Sequence, residues 1–429
     1  MEEGKIVESK RTLTLSPYKF FLVGLLGFAQ GVIFLLPYIM GPFYTPMINL
    51  LECTNEQLGS LMSIYGVIMW FTLIPGGWIA DKIETRKVVA SALVLTGAIG
   101  FSMSVITSFA YYFAMWALMS VVHNMLYWSA AIKFVRIVTS TDEQGKAYGY
   151  SYGMNGLAMA LLGAASVWIF AMAGDDSIAG VKSVIVMYSI MSVLTGVAIW
   201  IVYKKVKAAD GRLLSEEEKP AFFEMLSVLK LKPTWIFAII CFSLYTLQSL
   251  IIAYFTPFFT EVLGMAEATA AGIYVAINFL GVFSPILMGI FADKLGSTIK
   301  AIIISLSAVI VVISIMLAIN QMIPIWAAIL IDVLAVGISG GIYSVQFSAF
   351  DEIKLDRKVA GSCVAVASIV GYSSDVFIWT LFGNFLDNYG DAGYNYIFGT
   401  LLGIAVLGLL AAVVLAKWAK NDKVVMKSA

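Results

Sequence analysis

The chain has 429 residues, of which 60% are hydrophobic and 13% charged, with 27 basic side chains, 27 acidic side chains and one histidine. Soluble domains are closer to half apolar and a quarter charged, so this composition excludes an ordinary soluble protein and indicates a chain surrounded by lipid. A formal net charge of zero gives no support to nucleic-acid binding.

Long apolar runs recur along the chain, and a membrane-spanning helix needs about 20 such residues. The runs are continuous and not alternating, which favours helices over a β-barrel. The sequence therefore predicts an all-α membrane protein with twelve transmembrane helices in two pseudo-symmetric six-helix bundles. The predicted spans are 19–41, 57–80, 88–107, 109–134, 145–173, 181–204, 233–262, 268–292, 299–320, 323–349, 360–386 and 393–418.

The positions of the basic residues predict the orientation. If the amino terminus is cytoplasmic, every lysine and arginine except Lys182 falls on a cytoplasmic segment, as the positive-inside rule requires. Both termini are therefore predicted to be cytoplasmic, in a plasma membrane or bacterial inner membrane. The predicted domains are a tail over 1–18, a first half over 19–204, a linker over 205–232, a second half over 233–418 and a tail over 419–429.

The linker is polar and contains Ser215-Glu216-Glu217-Glu218, followed by an amphipathic run to Leu231. This pattern is typical of a solvated connector that is partly helical and lies at the membrane surface. A regulatory role is the alternative.

A short motif follows the second span of each half. Its residues are Gly77, Asp81, Lys82 and Arg86 in the first copy and Gly289, Asp293 and Lys294 in the second, which continues to Gly296. The pattern resembles Gly-x-x-x-Asp-(Arg/Lys)-x-Gly-(Arg/Lys)-(Arg/Lys), the signature of the major facilitator superfamily. With the span count and the linker, the resemblance covers nearly the whole chain. In the first copy, Glu84 and Thr85 replace the expected glycine and basic residue.

The resemblance implies transport by alternating access, with the motif as a gating latch. An acid and several bases in a short loop can fasten helix ends in one state and release them in another. The alternative is that these bases only set the topology.

A narrower resemblance lies around the fourth span. The stretch from Tyr127 to Lys133, with Arg136 and the run Glu143–Gly149, resembles organophosphate antiporters and organic-anion symporters. Lys133 and Arg136 share a helix face and are predicted to attract an anion to the inner mouth, with snorkelling to the interface as the alternative.

The same branch implies charged side chains that this chain lacks. Sugar-phosphate antiporters resemble one another in an arginine deep in spans one and seven, where this chain has Gln30 and Gln248. This departure argues against a doubly charged phosphate substrate.

Two local patterns concern the fifth span. Ser140 and Glu143 have the spacing of a capping box that would start the helix. Gly153, Gly156 and Gly163 are predicted to allow close helix packing.

Three ionisable side chains stand out within the predicted spans, where a charge is costly and a function is the default hypothesis. They are His123, Asp332 and Asp375, and we predict proton coupling for this set. Asp375 shares a helix face with Tyr372 and Trp379. The alternatives are a packing role for His123, an interhelical hydrogen bond for Asp332, and capping of a helix distortion by Asp375.

Amides and aromatic residues in spans that border the central cavity, as the resemblance implies, complete the predicted site. Such groups bind hydroxyls and carboxylates within otherwise apolar walls. The predicted solute-binding residues are Gln30, Tyr38, His123, Asn124, Tyr127, Asn155, Gln248, Asn278, Gln346, Tyr372 and Trp379.

We therefore predict a secondary active transporter of a small polar organic solute, an organic anion or a sugar derivative, coupled to protons by symport and working as a monomer. The alternatives are an anion exchanger without proton coupling and a transporter-like solute receptor. The sequence contains no phosphate-binding loop, no metal-ligand cluster and no nucleophile–base pair, so we expect neither an enzyme nor a cofactor or metal.

Overall fold

The structure is a computed structural model that describes residues 16–139, 144–174, 176–203, 228–319, 322–353 and 357–420. All regular secondary structure in these ranges is helical. The helices are α1 (Pro17–Leu35), α2 (Tyr44–Leu51), α3 (Asn55–Lys82), α4 (Thr85–Val105), α5 (Phe109–Ser120), α6 (Ser129–Val138), α7 (Gln144–Met172), α8 (Ser177–Val202), α9 (Lys232–Pro257), α10 (Glu267–Gly281), α11 (Ser284–Leu295), α12 (Thr298–Ile319), α13 (Ile325–Val345), α14 (Ala349–Glu352), α15 (Arg357–Gly371), α16 (Ser374–Tyr389) and α17 (Gly393–Lys420).

Many of these helices, alone or joined to their neighbours, are long and apolar enough to cross a membrane. Nine helical stretches of the described chain meet this condition, and a tenth span is formed by α10 and α11 together, which meet at an angle of 41°. One of the nine, Val366–Ala419, contains most of the eleventh predicted span and all of the twelfth. With α3, the helices account for the predicted twelve-helix fold in two halves.

Local sequence signals set several helix starts. Ser16 accepts a hydrogen bond from the Lys19 amide and is followed by Pro17, whose fixed φ suits the first helical turn. Thr54 and Gln57 form a capping box, so α3 begins at Asn55 and not at the predicted residue 57.

Four spans differ from the continuous helices that the apolar runs predict. The first span ends at Leu35 and continues as turns, whereas the prediction extended it to residue 41. The fourth contains a π-helical segment, Val121–Trp128, between α5 and α6. The eighth is broken after Gly281, and the eleventh is broken at Tyr372 and Ser373. Such interruptions in membrane proteins commonly mark functional positions.

We distinguish an inner and an outer face of the molecule by the loops that each face carries. The inner face carries the connection from Lys82 to Thr85 between α3 and α4, and the outer face carries α2 and the connection between α16 and α17. The first half contacts the second mainly where α3 packs on α16 and where α7 packs on α10.

Glycines permit the second of these contacts. A Cβ at Gly156 would lie 2.8 Å from Val282, and one at Gly163 would lie 3.1 Å from Val275, so both positions confirm the predicted close packing. Gly153 has no heavy atom within 4 Å of a Cβ position, so the packing prediction is wrong there.

Several sequence predictions fall outside the described residues. They are most of the linker with Ser215–Glu218, the capping pair Ser140 and Glu143, and both tails beyond residues 16 and 420. The side chains of Asp81 and Arg136 also lie outside the described part.

Candidate solute and proton site

Asp375 occupies the break in the eleventh span, one residue into α16. The residue is 4% exposed. Tyr245 of α9 donates a hydrogen bond to Oδ2 at 2.5 Å, and the indole Nε1 of Trp379 donates to Oδ1 at 3.0 Å. Both carboxylate oxygens therefore have a donor, and neither donor is the helix backbone. The predicted distortion is present, but Asp375 does not cap it with its side chain.

Tyrosines surround this carboxylate. The rings of Tyr245 and Tyr372 meet edge to face with centroids 4.7 Å apart, and the hydroxyl of Tyr343 lies 3.2 Å from that of Tyr372. Tyr38 and Tyr65 of the first half are also close enough to interact electrostatically with Asp375. The sequence prediction included Tyr372 and Tyr38, but it missed Tyr245 and Tyr343.

His123 lies in the π-helical segment and is fully buried. The Thr96 hydroxyl donates to the Ala92 carbonyl at 2.8 Å, so its oxygen is left to accept from Nε2 of His123 at 3.0 Å. Nδ1 then accepts from the Tyr65 hydroxyl at 3.1 Å. This assignment of the ring hydrogen follows from the hydrogen-bond partners. The neutral imidazole therefore has both nitrogens satisfied.

A small cavity lies between the two halves near these groups. It is lined by α1 and the turns after it, by α7 and α8 of the first half and by α10 of the second, and about 40 Å³ of it is open to the centre of a water molecule. Tyr38, Tyr188, Tyr274 and Asn278 contribute its polar atoms, and the other lining residues are apolar or glycine. The Asn278 amide donates to the Tyr274 carbonyl at 2.9 Å, which leaves its oxygen available to a solute. We call this space the central cavity.

The two halves are joined at the outer face by α3 and α16. The carboxylate of Asp387 accepts from the Asn55 amide and side chain, both at 2.9 Å, and from the Glu56 amide at 2.8 Å. Asn384 donates to Glu56 at 2.8 Å. An acid at a helix amino terminus satisfies unpaired N–H groups and complements the helix dipole.

The same contact continues toward the membrane centre. The hydroxyls of Ser63 and Thr380 are 2.7 Å apart, and Gly59 lies against the backbone of Trp379. These contacting residues form what we call the outer seal: Asn55, Glu56, Gly59, Ser63, Trp379, Thr380, Asn384 and Asp387. Beside the seal, the Thr45 hydroxyl lies 3.3 Å from the hydroxyl of Thr260 and donates to the Glu261 carboxylate. The structure is therefore closed toward the outer face.

The chain matches a known family over most of its length. The profile of the Major Facilitator Superfamily matches residues 20–378. The chain belongs to this superfamily. It is accordingly a multi-pass membrane transporter and not an enzyme, and it acts on a small molecule in a lipid bilayer.

Similar proteins occur in Escherichia coli. The inner membrane protein YqcE of Escherichia coli is 27% identical over 91% of this chain and 93% of its own length. The inner membrane protein YihN of the same organism is 26% identical over 97% of this chain and 99% of its own length.

Solved transporter structures share the fold. A D-xylose–proton symporter superposes with a TM-score of 0.72 at 14% identity, covering 93% of this chain and 98% of the symporter. A bacterial homologue of the lysosomal transporter Spinster gives 0.69, also at 14% identity, covering 94% and 97%. The predicted link to the organophosphate and organic-anion branch stays a prediction.

The first copy of the superfamily motif is paired within its own half. Glu84 contacts Arg86 at 2.9 Å and Lys87 at 3.1 Å, and the hydrogen bond from Lys87 lowers the pKa of the Glu84 carboxyl. Arg86 also stacks on Trp200 at 4.8 Å and donates to its carbonyl, which ties the start of α4 to the end of α8. Lys82 lies 4.2 Å above the Trp78 ring.

The second copy explains why the motif glycine differs between the halves. Gly296 ends α11 in the left-handed region with φ of 61°, where glycine is favoured. In the first copy the helix ends at Ile83 in extended geometry, so Glu84 can occupy the glycine position. Asp293 and Lys294 are exposed, and Gly289 has open space around it.

One other predicted solute-binding residue, Gln30, lines a second pocket on the inner side of the first half. Trp128, Tyr148 and Tyr152 line it too, and about 30 Å³ of it is open to the centre of a water molecule. Lys133 lies half-buried near the inner end of α6. Gln248 is half-buried beside Gly340 in the second half.

The remaining predicted residues are spread through the interior of each half. Asn124 donates to Ser120, and the Tyr127 hydroxyl lies 3.5 Å from the Leu26 carbonyl, so both belong to the packing of the first half. Asn155, Asp332 and Gln346 each have a buried polar atom without a hydrogen-bond partner among the described residues. None of these three side chains belongs to the lining of the central cavity.

Proposed function

We propose that the chain is a proton-coupled symporter that imports a small polar organic solute by alternating access. The amino and carboxyl termini are cytoplasmic in this proposal, the membrane is a bacterial inner membrane, and the halves 19–204 and 233–418 rock about the central cavity. The observation that carries the proposal is the placement of Asp375. It is an intramembrane carboxylate beside the cavity, on the same helix as the outer seal.

Proton binding and gating are linked through this helix. The carboxylate of Asp375 lies at the start of α16, and Asp387 lies at its end in the outer seal. Gly66 of α3 packs against the backbone of Asp375. A change in the protonation of Asp375 therefore acts directly on the contact that closes the outer face, which is the coupling that symport requires.

Solute binding is tested by thermal unfolding of the purified protein with sugars, sugar acids, carboxylates and phosphate esters at two pH values. A solute present at a hundredfold excess over its Kd stabilises a folded protein by about 2.7 kcal/mol. We expect one chemical class to raise the unfolding temperature, and to do so more strongly at the lower pH because solute and proton bind together. A larger effect at the higher pH would contradict symport.

Coupling of transport to protons is tested in proteoliposomes with the solute found in that screen. We expect Asp375→Asn to abolish accumulation driven by a pH gradient, because an amide cannot take up the proton. Counterflow of labelled solute should persist, since exchange moves no net protons. Asp391→Asn is the matched control, because it removes an exposed carboxylate between α16 and α17.

Two outcomes would decide against the proposal. Accumulation by the Asp375→Asn protein at the rate of the natural chain would remove Asp375 from coupling. Binding without counterflow in any protein would favour the solute-receptor alternative.

A further inference from the structure

The described residues around the central cavity carry an unbalanced set of charges. The titratable neighbours of Asp375 are tyrosines, namely Tyr38, Tyr65, Tyr245, Tyr343 and Tyr372. The lining of the central cavity contains no lysine or arginine, and Lys133 lies near the inner end of α6. An anion entering this cavity would find no positive charge in its lining, with the Asp375 carboxyl group behind Tyr38.

A cationic solute is disfavoured for a different reason. Both oxygens of Asp375 already accept hydrogen bonds, from Tyr245 at 2.5 Å and from Trp379 at 3.0 Å, and the residue is 4% exposed. An ammonium ion could pair with this carboxylate only by displacing one of these donors. It would also compete with the proton for the same oxygens, which gives exchange and not symport.

The polar atoms that remain in the cavity are neutral. They are phenolic hydroxyls of Tyr38, Tyr188 and Tyr274 and the amide of Asn278. Hydroxyls and amides each offer both donors and acceptors, and so do the hydroxyl groups of a neutral solute. The adjoining Phe34 and Met159 supply apolar surface for the carbon skeleton.

The outer face has the same sign of charge as the cavity. Its acidic residues include Glu52, Glu56, Glu261, Asp387 and Asp391, and Lys182 is its one base among the described residues. This field opposes the approach of anions from the outer side.

We infer that the solute is uncharged and polyhydroxylated, such as a sugar or polyol, and that the proton on Asp375 is the only charge that moves with it. The inference rests on the proposed function and narrows its substrate class. The tyrosine and amide groups of the central cavity bind the hydroxyls, while Asp375 binds the proton behind them.

Matched compounds of one carbon skeleton and different charge test this inference. The probes are glucose with gluconate and glucosamine, xylose with xylonate, and glycerol with glycerate, each added to the purified natural chain. We expect the neutral member of one set to raise the unfolding temperature, and its charged partners to bind at least about tenfold more weakly because the cavity offers them no opposite charge.

Currents across a supported membrane give an independent measure of the charge that moves with each solute molecule. A neutral solute carried with a proton moves one positive charge into the proteoliposome, whereas a monoanion carried with one proton moves none. We expect the neutral member to produce an inward positive current that Asp375→Asn abolishes. Tighter binding of an acid or amine would overturn the inference while leaving transport intact, and failure of all neutral members would overturn the polyhydroxylated class.

Two asparagine variants test whether the solute binds in the central cavity. Asn278→Ala should weaken binding of the neutral probe, because its amide lines the cavity. Asn388→Ala, which removes an exposed amide at the outer end of α16, should leave binding unchanged. Equal effects of the two variants would place the site elsewhere and overturn the inference.

Discussion

Asp375 and His123 are both buried polar groups in the membrane, but their hydrogen bonds suit different roles. Asp375 accepts from two side chains that can release it without disturbing a helix, and it faces tyrosines from both halves. His123 is held between Tyr65 and Thr96, and Thr96 is in turn fixed to the backbone of α4. A proton carrier must gain and lose a proton in each cycle, so the geometry of Asp375 suits that task better.

We therefore predict a structural role for His123. His123→Phe should lower the free energy of unfolding by about 1–3 kcal/mol, because it leaves buried groups of Tyr65 and Thr96 unpaired. The pH dependence of uptake should stay unchanged, since the neutral ring takes no part in proton transfer. Thermal unfolding and uptake between pH 5 and 8 check both parts.

A control and a contrary result define this test. Thr96→Val removes the same hydrogen bond from the other side and should cause a similar loss of stability with the same pH profile. If His123→Phe shifts the pH profile and Thr96→Val does not, the histidine carries protons and the prediction is wrong.

The sequence identified Asp375 because a carboxylate in an apolar run is conspicuous. Tyr245 could not be found in this way, because the chain contains 20 tyrosines and nothing local separates one that meets a carboxylate from one that packs. The bond between Asp387 and Asn55 joins positions 332 residues apart and depends on how the two halves meet. Hydropathy predicts the spans, but it does not encode these tertiary pairings.

At the scale of the helices, the apolar runs predicted twelve spans, but of their interruptions the sequence indicated only the distortion near Asp375. The π-helical segment Val121–Trp128 and the break near Val282 each lie within a run that is apolar enough for a single span. These features depend on which carbonyl each amide finds, and that choice is decided by neighbouring helices. His123 and Asp375 both lie in such irregular segments.

The contact between α3 and α16 depends on two glycines, which allows a direct test of the outer seal. A Cβ at Gly59 would lie 2.2 Å from the Trp379 carbonyl oxygen, and one at Gly383 would lie 2.2 Å from the Asn55 carbonyl oxygen. Alanine at either position should destabilise the closed seal by about 1–3 kcal/mol through overpacking. We expect a shift of about tenfold toward the outward-open state.

Cysteine labelling measures this shift. Ser63→Cys, in a chain whose three natural cysteines are replaced, should react slowly with a membrane-impermeant maleimide when the seal is closed. Gly59→Ala should increase its reactivity. Gly153→Ala is the control, because no atom lies within 4 Å of its new Cβ and alanine favours a helix. Equal labelling of Ser63→Cys alone, with Gly59→Ala and with Gly153→Ala would show that the contact between α3 and α16 does not govern closure of the outer face.

At the scale of the whole molecule, the inner and outer faces differ in how the halves are joined. The outer seal crosses between the halves, whereas the described contacts of Arg86, Lys87 and Glu84 stay within the first half. In a rocking transporter, contacts at one face form as those at the other break. The motif is therefore expected to reach the second half only when the outer seal opens.

Weakening the seal should move both faces in opposite directions. Asp387→Asn leaves one oxygen to accept from three N–H donors and removes the charge that faces the amino terminus of α3. Because Asp387 is exposed, we expect a loss of about 1 kcal/mol from the closed state, or about a fivefold change in population. Spin labels at Val105 and Met322 should report a longer distance across the outer face, and labels at Lys82 and Lys294 a shorter one across the inner face.

The reciprocal change is the decisive part of this prediction. Asp391→Asn is the matched control, since this acid is exposed on the same face but has no described hydrogen bond to the first half, and both distances should stay as in the natural chain. If Asp387→Asn lengthens the outer distance and leaves the inner distance unchanged, the helices at the outer face move alone. The two halves would then not rock as rigid bodies, and the effect of Asp375 on α16 would not extend to the motif at the inner face. Opposite changes at the two faces would mean that one carboxylate at the outer end of α16 biases the conformation of the entire transporter.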